Sequence, residues 1–186
     1  MPSPIGHLLA GVSVAFVADQ RRDLSSRWRY TAMACALLAA APDLDLLYPG
    51  GHRMMTHSLF AVGLVFLVGA AATRLWAGRV DWRLTVACTL AYSSHLLADY
   101  YGVDVSPRAG IQLLWPWSSE WFISDWYLFR GTERHNPLSA FAITVNLLAL
   151  AQELLVIGPV VLLAWLRRRR HVTDASTGVP LPLRSS

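Results

Sequence analysis

The sequence predicts an all-α, polytopic helical membrane bundle of about five helices with one long, aromatic-rich outer loop. Three observations predict it: the composition, the lengths of the apolar runs and the placement of the arginines. Of 186 residues, 54% are hydrophobic and only 15% charged, which is too apolar for an ordinary soluble domain. The apolar runs recur at lengths near the roughly 20 residues a helix needs to cross a bilayer. The formal charge of +4 is carried by sixteen arginines and no lysine. These arginines gather between apolar runs and near the C-terminus, as topology signals do, so no nucleic-acid partner is expected.

The elements follow in order. A first segment, about Ile5 to Ala18, is short for a span, and because it lacks a basic leader and carries His7 it is expected to be retained. The second runs from about Trp28 to Tyr48, the third from about Met55 to Ala77, and the fourth from about Trp82 to Tyr101. The fifth begins after Pro137, reaches about Leu166, and is long enough to tilt. Between the fourth and fifth lies a loop of roughly 35 residues, too long for a simple turn. Residues 1–170 read as one membrane-embedded domain, and 171–186, polar and rich in Pro and Ser, as a disordered cytoplasmic tail. Cys35 and Cys88 lie within apolar runs and read as packing residues.

Orientation follows from charge. Placing Arg21, Arg22, Arg27, Arg29, Arg74, Arg79, Arg83 and the run from Arg167 to Arg170 on one side puts the N-terminus outside and the tail in the cytoplasm. His7, Asp43, Asp45, His52, His57, His95 and Asp99 then fall at the outer ends of their segments. At 1.5 Å per residue, His7, Asp43, His95 and Glu153 each lie on the order of 20 Å from the cytoplasmic end of their helix.

These residue types suit a divalent metal. His95 and Asp99 are spaced i, i+4 and share one helical face, and ionisable groups within spanning segments usually face an interior cavity. Asp43 and Asp45 close the second segment, so one can ligate while the other orients a histidine or caps an amide, and Asp45 is also a candidate base. His52 and His57 span the start of the third segment, with Thr56 as its N-cap; His57 is a ligand, and His52 a ligand or its support. Arg53 is positioned to neutralise a substrate phosphate or carboxylate. Glu153, alone in the fifth segment, is a candidate base, second-site ligand or structural hydrogen-bond acceptor; His135 and His171 carry no assigned role. Imidazole and carboxylate without thiolate fit an open site for zinc, manganese or iron, not a closed structural zinc site. The loop aromatics Trp115, Trp117, Trp121, Phe122, Trp126, Tyr127 and Phe129 suit the membrane interface, and a lid guiding an amphiphilic substrate.

The set His7, Pro42-Asp43-x-Asp45, His52-Arg53-x-x-Thr56-His57-Ser58, His95-x-x-x-Asp99 and Leu113-Leu114-Trp115-Pro116 resembles the YdjM-like family of inner-membrane metal-dependent hydrolases. Met54 stands where that family commonly has glycine. More remotely, the order His7, Asp43, His57, His95, Asp99 is similar to that of the all-helical zinc-dependent phospholipases C and single-strand nucleases; their further His-x-x-x-Glu has no counterpart, because no histidine stands four before Glu153. The resemblance implies a membrane hydrolase acting on an ester or phosphoester of a lipid or amphiphilic substrate, with one or more divalent ions, zinc foremost. The competing expectation is a metal-binding or metal-transport membrane protein without turnover.

Overall fold

The computed structural model describes residues 2–18, 26–47, 52–106, 108–134 and 136–176, and within them the chain is all-helical. The helices are α1 (Pro4–Ala18), α2 (Ser26–Ala40, prolonged by a 3-10 segment Ala41–Leu47), α3 (Leu59–Ala77), α4 (Trp82–Tyr100) and α5 (Ala140–Ser176). Among the described residues, three stretches are long and apolar enough to cross a membrane: Trp28–Leu47, Leu59–Ala77 and Ala140–Arg167. With 15 residues, α1 reaches only about 22 Å at 1.5 Å per residue. Helix α4 has 19 residues but a polar face. Three of its hydroxyls bond back into its own turns, Thr89 to the Thr85 carbonyl at 2.9 Å, Ser93 to Thr89 at 2.9 Å and Ser94 to Ala91 at 2.7 Å, which satisfies these three without water.

Helices α1, α2 and α4 pack on one another, with α3 against α4 and α5 against α1. The shared core is made of small side chains, Ala15, Ala32, Cys35, Ala39, Ala87, Cys88 and Ala91. A Cβ added at Gly11 would run into the Cys35 carbonyl, so the backbones of α1 and α2 meet there. This is how helices associate when the surroundings are as apolar as leucine and close packing must supply the attraction. The large apolar side chains point outward instead: Leu75, Trp76 and Leu155 are 86%, 94% and 77% exposed.

Two boundaries differ from the sequence reading. Helix α3 begins at Leu59, and its N-cap is Ser58, whose extended backbone lets the hydroxyl accept from Ala61 N–H at 3.2 Å. Thr56 lies before the helix in a short 3-10 turn, Met55–His57, because its hydroxyl is drawn to Asp45. Helix α5 continues to Ser176, past residue 171 where a disordered tail was expected; residues 177–186 of that tail lie outside the described residues, as does His135.

The long loop is irregular but internally paired. Val103 N–H donates to the Phe129 carbonyl at 2.9 Å, and Ile111 and Phe122 exchange two bonds at 3.0 and 2.9 Å. Gly110 has φ 101°, and a Cβ there would meet the Phe122 carbonyl, so glycine is required twice over. Ile111 and Phe129 are buried, while Trp117, Trp126 and Tyr127 are exposed. Two amide side chains of α5 hold the far end of the loop: Gln152 accepts from Arg130 N–H at 2.9 Å and donates to the Leu128 carbonyl at 3.1 Å, and Asn146 does the same for Glu133 at 2.8 and 3.0 Å.

Arg53 ties the near end of the loop to the link between α2 and α3. Held at φ 66°, it directs its guanidinium to Asp104 and Ser106, while its carbonyl accepts from Gln112 N–H at 2.9 Å. Burial alone would raise the Asp104 pKa, but the backbone amides of Ser106 and Gly110 and the Arg53 charge hold it below the usual carboxylate range. The stabilisation from this anchor is therefore present above the unfolded-chain value of about 3.9 and fades as pH falls through the depressed folded value. Asp104→Asn is expected to lower the melting temperature in detergent at pH 7 by a few degrees, about 2–4 °C per kcal/mol in a chain this size. The difference from wild type should shrink as the pH is taken below about 4; a gap that widens in acid would refute the anchor.

Candidate metal centre

Four side chains converge where the 3-10 end of α2, the turn before α3 and the last turns of α4 meet. Asp43, His57, His95 and Asp99 each offer one ligand atom, and these atoms lie within 4.8 Å of one another. His57 and His95 present Nε2 atoms 3.1 Å apart. Asp99 Oδ2 is 3.4 Å from both, and Asp43 Oδ1 is 4.0 and 3.8 Å from them. A tetrahedral ion with bonds of about 2.0–2.1 Å spaces its ligands about 3.3 Å apart. The triangle of His57, His95 and Asp99 has that spacing, and Asp43 stands off on one side.

The groups behind the histidines fix which nitrogen faces the centre. His95 Nδ1–H donates to the Ala39 carbonyl at 2.7 Å. His57 Nδ1 lies 3.2 Å from Asp45 Oδ2 and 3.0 Å from Thr56 Oγ1, and the Thr56 hydroxyl proton is directed to Asp45 at 2.6 Å, so Nδ1 must be the donor. The two Nε2 atoms consequently face each other in a site where His57 and His95 are fully buried. A proton or a metal cation between them relieves the repulsion of their lone pairs. Asp43 Oδ1 and both Asp99 oxygens are also buried without a hydrogen-bond partner, a costly state for carboxylates. Lone pairs of the right number and kind, with supports behind them, make the residues a fit for a divalent ion such as zinc.

Asp45 was expected as ligand or base. The structure places it behind His57, with both oxygens engaged: His52 Nδ1 at 2.6 Å, Arg53 N–H at 2.9 Å and the Thr56 hydroxyl. A carboxylate holding that many donors orients its neighbours and has little basicity left to offer. His52 is outside the group of four; it stands edge-on to His57, ring centroids 5.6 Å apart, with its side chain 25% exposed and Nε2 without a hydrogen-bond partner.

His7 reaches the centre from α1, its ring stacked on His95 at 3.7 Å and its Nε2 3.4 Å from Asp99 Oδ1. Asp99 thus turns one oxygen to His7 and the other to the pair of histidines. Arg53, expected at a substrate anion, has its guanidinium on Asp104 and Ser106. Glu153 is fully buried against Ser3 and Gly6 of α1. Sequence reasoning passed over Tyr92, whose hydroxyl donates to the Thr56 carbonyl at 2.5 Å and so fixes the turn that carries His57. Its position three before His95 placed it on the same face.

Binding of Zn2+ or Co2+ should be measurable by titration of detergent-purified protein. His57→Ala and Asp99→Asn are expected to abolish stoichiometric uptake, while Asp45→Asn, which weakens the support of His57 and of the turn around it but leaves the four ligand atoms in place, should weaken affinity about 10–100-fold. Uptake unchanged in all three variants would remove the centre.

Comparisons with known proteins place the chain among inner membrane proteins. The family described as YdjM inner membrane protein matches residues 1–171. The inner membrane protein YbcI of Escherichia coli strain K12 is 33% identical over 103 residues, a match that covers 50% of this chain and 58% of that protein. No solved structure matches significantly. With the family matched over nearly its whole described length, this chain belongs to the YdjM inner membrane protein family.

Proposed function

We propose that the protein is a membrane-bound, metal-dependent hydrolase that cleaves an ester or phosphoester of a lipid or other amphiphile. The observation that carries this reading is the asymmetry of the centre. Three ligand atoms form a close triangle, and the side occupied by Asp43, whose side chain is 13% exposed against 0–1% for the other three, is looser and nearer the surface. A structural site is closed on all sides, whereas a hydrolytic one keeps a position for water and substrate. Leu44 and Leu47, in the same 3-10 segment as Asp43, and Met55, in the turn that carries His57, are 65%, 83% and 55% exposed, apolar surface suited to an acyl chain lying beside a polar headgroup.

A divalent ion in the centre, zinc foremost, would supply Lewis acidity toward water and toward the scissile group. The chain's own residues divide the remaining work. Ala39, Asp45 and Thr56 hold the two imidazoles with Nε2 forward. Asp45 and Glu153, expected as bases, are engaged elsewhere, so we assign proton acceptance to His52, whose Nδ1 is held by Asp45 and whose Nε2 has no partner. Arg53 is committed to Asp104, and the charge of a phosphoester would be met at the centre itself. In this reading the N-terminus is outside, the arginine-bearing ends and the tail are cytoplasmic, and the site lies near the outer face. The partners are the bilayer and its lipids, with no nucleic acid.

A transporter would need a polar path toward the arginine end of the bundle. The buried polar side chains on that side, among the described residues, are Ser13 and Thr85, set in a core of alanine and cysteine. The decisive assay is release of phosphate, headgroup or fatty acid from mixed phospholipid micelles by zinc-loaded protein. Wild type is expected to turn over, His57→Ala and Asp99→Asn to fall to background, and His52→Gln to keep its metal but lose about 10²-fold or more in rate. Metal-loaded wild type that releases nothing from any such lipid would favour the non-catalytic metal-binding reading.

A further inference from the structure

Glu153 sits midway along an apolar helix and is fully buried, so its carboxylate needs a purpose or a partner. Its partners are at the start of α1. Oε1 accepts the Ser3 backbone N–H at 2.5 Å, and Oε2 accepts the Ser3 hydroxyl. Ser3 is itself the N-cap of that helix: its carbonyl takes the first intrahelical bond, from His7 N–H at 3.2 Å, and its hydroxyl accepts from Gly6 N–H at 3.1 Å. In a capping box, the third helical residue is a glutamate or glutamine whose side chain reaches back to the N-cap N–H. Here that third residue is Gly6, and the glutamate comes from α5. A Cβ on Gly6 would lie 2.5 Å from Glu153 Oε2, so the missing side chain and the imported carboxylate occupy the same space.

We infer that Glu153 completes the N-terminal cap of α1 from outside the helix and thereby acts as a positioning residue for His7. The residue after Gly6 is His7, one bond from the cap, stacked on His95 and directed at Asp99. With α1 short and α5 packed mainly against it, the cap is the polar tie that fixes how far α1 advances toward the centre. The helix start and the imidazole move together, and Glu153 sets both. The inference rests on the metal-centre reading above for its functional consequence, and on the cap geometry alone for its structural one.

The test uses full-length protein in detergent with Co2+ as probe. Glu153→Ala and Ser3→Ala are each expected to lower Co2+ affinity about tenfold, as loss of a ligand's support does, and to shift the d–d absorption of the bound ion. The double variant should be no worse than either single one. Glu153→Gln, which keeps an acceptor for the Ser3 N–H, should recover most of the affinity; a ligand or general base at this position would be lost with that change, and equal damage from Gln and Ala would overturn the proposal. Gly6→Ala should be harmful in wild type and add nothing in the Glu153→Ala background, and additive losses would also overturn it. Amide hydrogen exchange at Gly6 and His7 reads the cap without metal: it should accelerate in Glu153→Ala, and unchanged exchange refutes the cap. Wild type that takes up no Co2+ while this acceleration is seen would overturn the metal reading and the positioning of a ligand, leaving the cap established.

Discussion

The burial of the Asp99 carboxylate among three imidazoles is the constraint on which the rest of this molecule depends. Asp99 is 2% exposed and lies 3.4 Å from His7, His57 and His95. These come from α1, from the turn before α3 and from α4 itself. A carboxylate withdrawn from water costs several kcal/mol unless positive charge compensates it, and the three imidazoles, by taking a proton or by holding a cation beside it, supply that charge from three separate parts of the chain. The close approach that this demands is allowed by alanine and glycine where α1, α2 and α4 meet. Small residues in the core and a polar centre at one end are therefore one design: bulkier helices could not bring the four ligand atoms within reach.

The same constraint explains why the link between α2 and α3 departs from helix. A continuous helix through residues 52–58 could not place His57 at the centre and Thr56 on Asp45 together. The chain instead takes a left-handed residue at Arg53, a single 3-10 turn, and a fresh start at Ser58. Asp45 holds this irregular stretch from one side through His52, Arg53 and Thr56, and Tyr92 holds it from the other. One carboxylate thus does for a loop what backbone bonds do for a helix.

Much of this was legible in the sequence, for identifiable reasons. The i, i+4 spacing of His95 and Asp99 fixes a shared face on any helix, and the structure keeps it. Asp43 and His7 could be gathered with His95 because they stand at a similar distance from the arginine-bearing ends of their segments, and His57 because it opens the third segment from the opposite end; Glu153, at the same level, turns to Ser3 instead. What the sequence could not convey is direction within a loop. Asp43 and Asp45 are two apart and chemically alike, and only the fold decides that one faces the centre and the other faces His57. Arg53 read as an anion site because its partner, Asp104, lies far along the chain in a loop with no periodicity to place it. Thr56 read as a cap because Thr and Ser58 are both good caps, and the nearby carboxylate that claims the threonine belongs to another segment.

Helix α5 shows how polar residues in an apolar helix can be sorted. Asn146, Gln152 and Glu153 all stand out in its sequence, and Glu153 drew a catalytic assignment for that reason. Each of the three binds main-chain groups: Asn146 those of Glu133, Gln152 those of Arg130 and Leu128, and Glu153 the Ser3 N–H. The atoms that face the centre are different, for Asp43 Oδ1 and both Asp99 oxygens have no hydrogen-bond partner. In a medium without water, backbone outside a regular helix must be given partners, and a long helix beside an irregular loop is the nearest source. A polar group there is spent on structure when its partner is an orphan amide or carbonyl. It is free for chemistry when its lone pairs converge with others on a point that no proton donor occupies, and by that criterion α5 builds the housing while α4 and the turn before α3 carry the site.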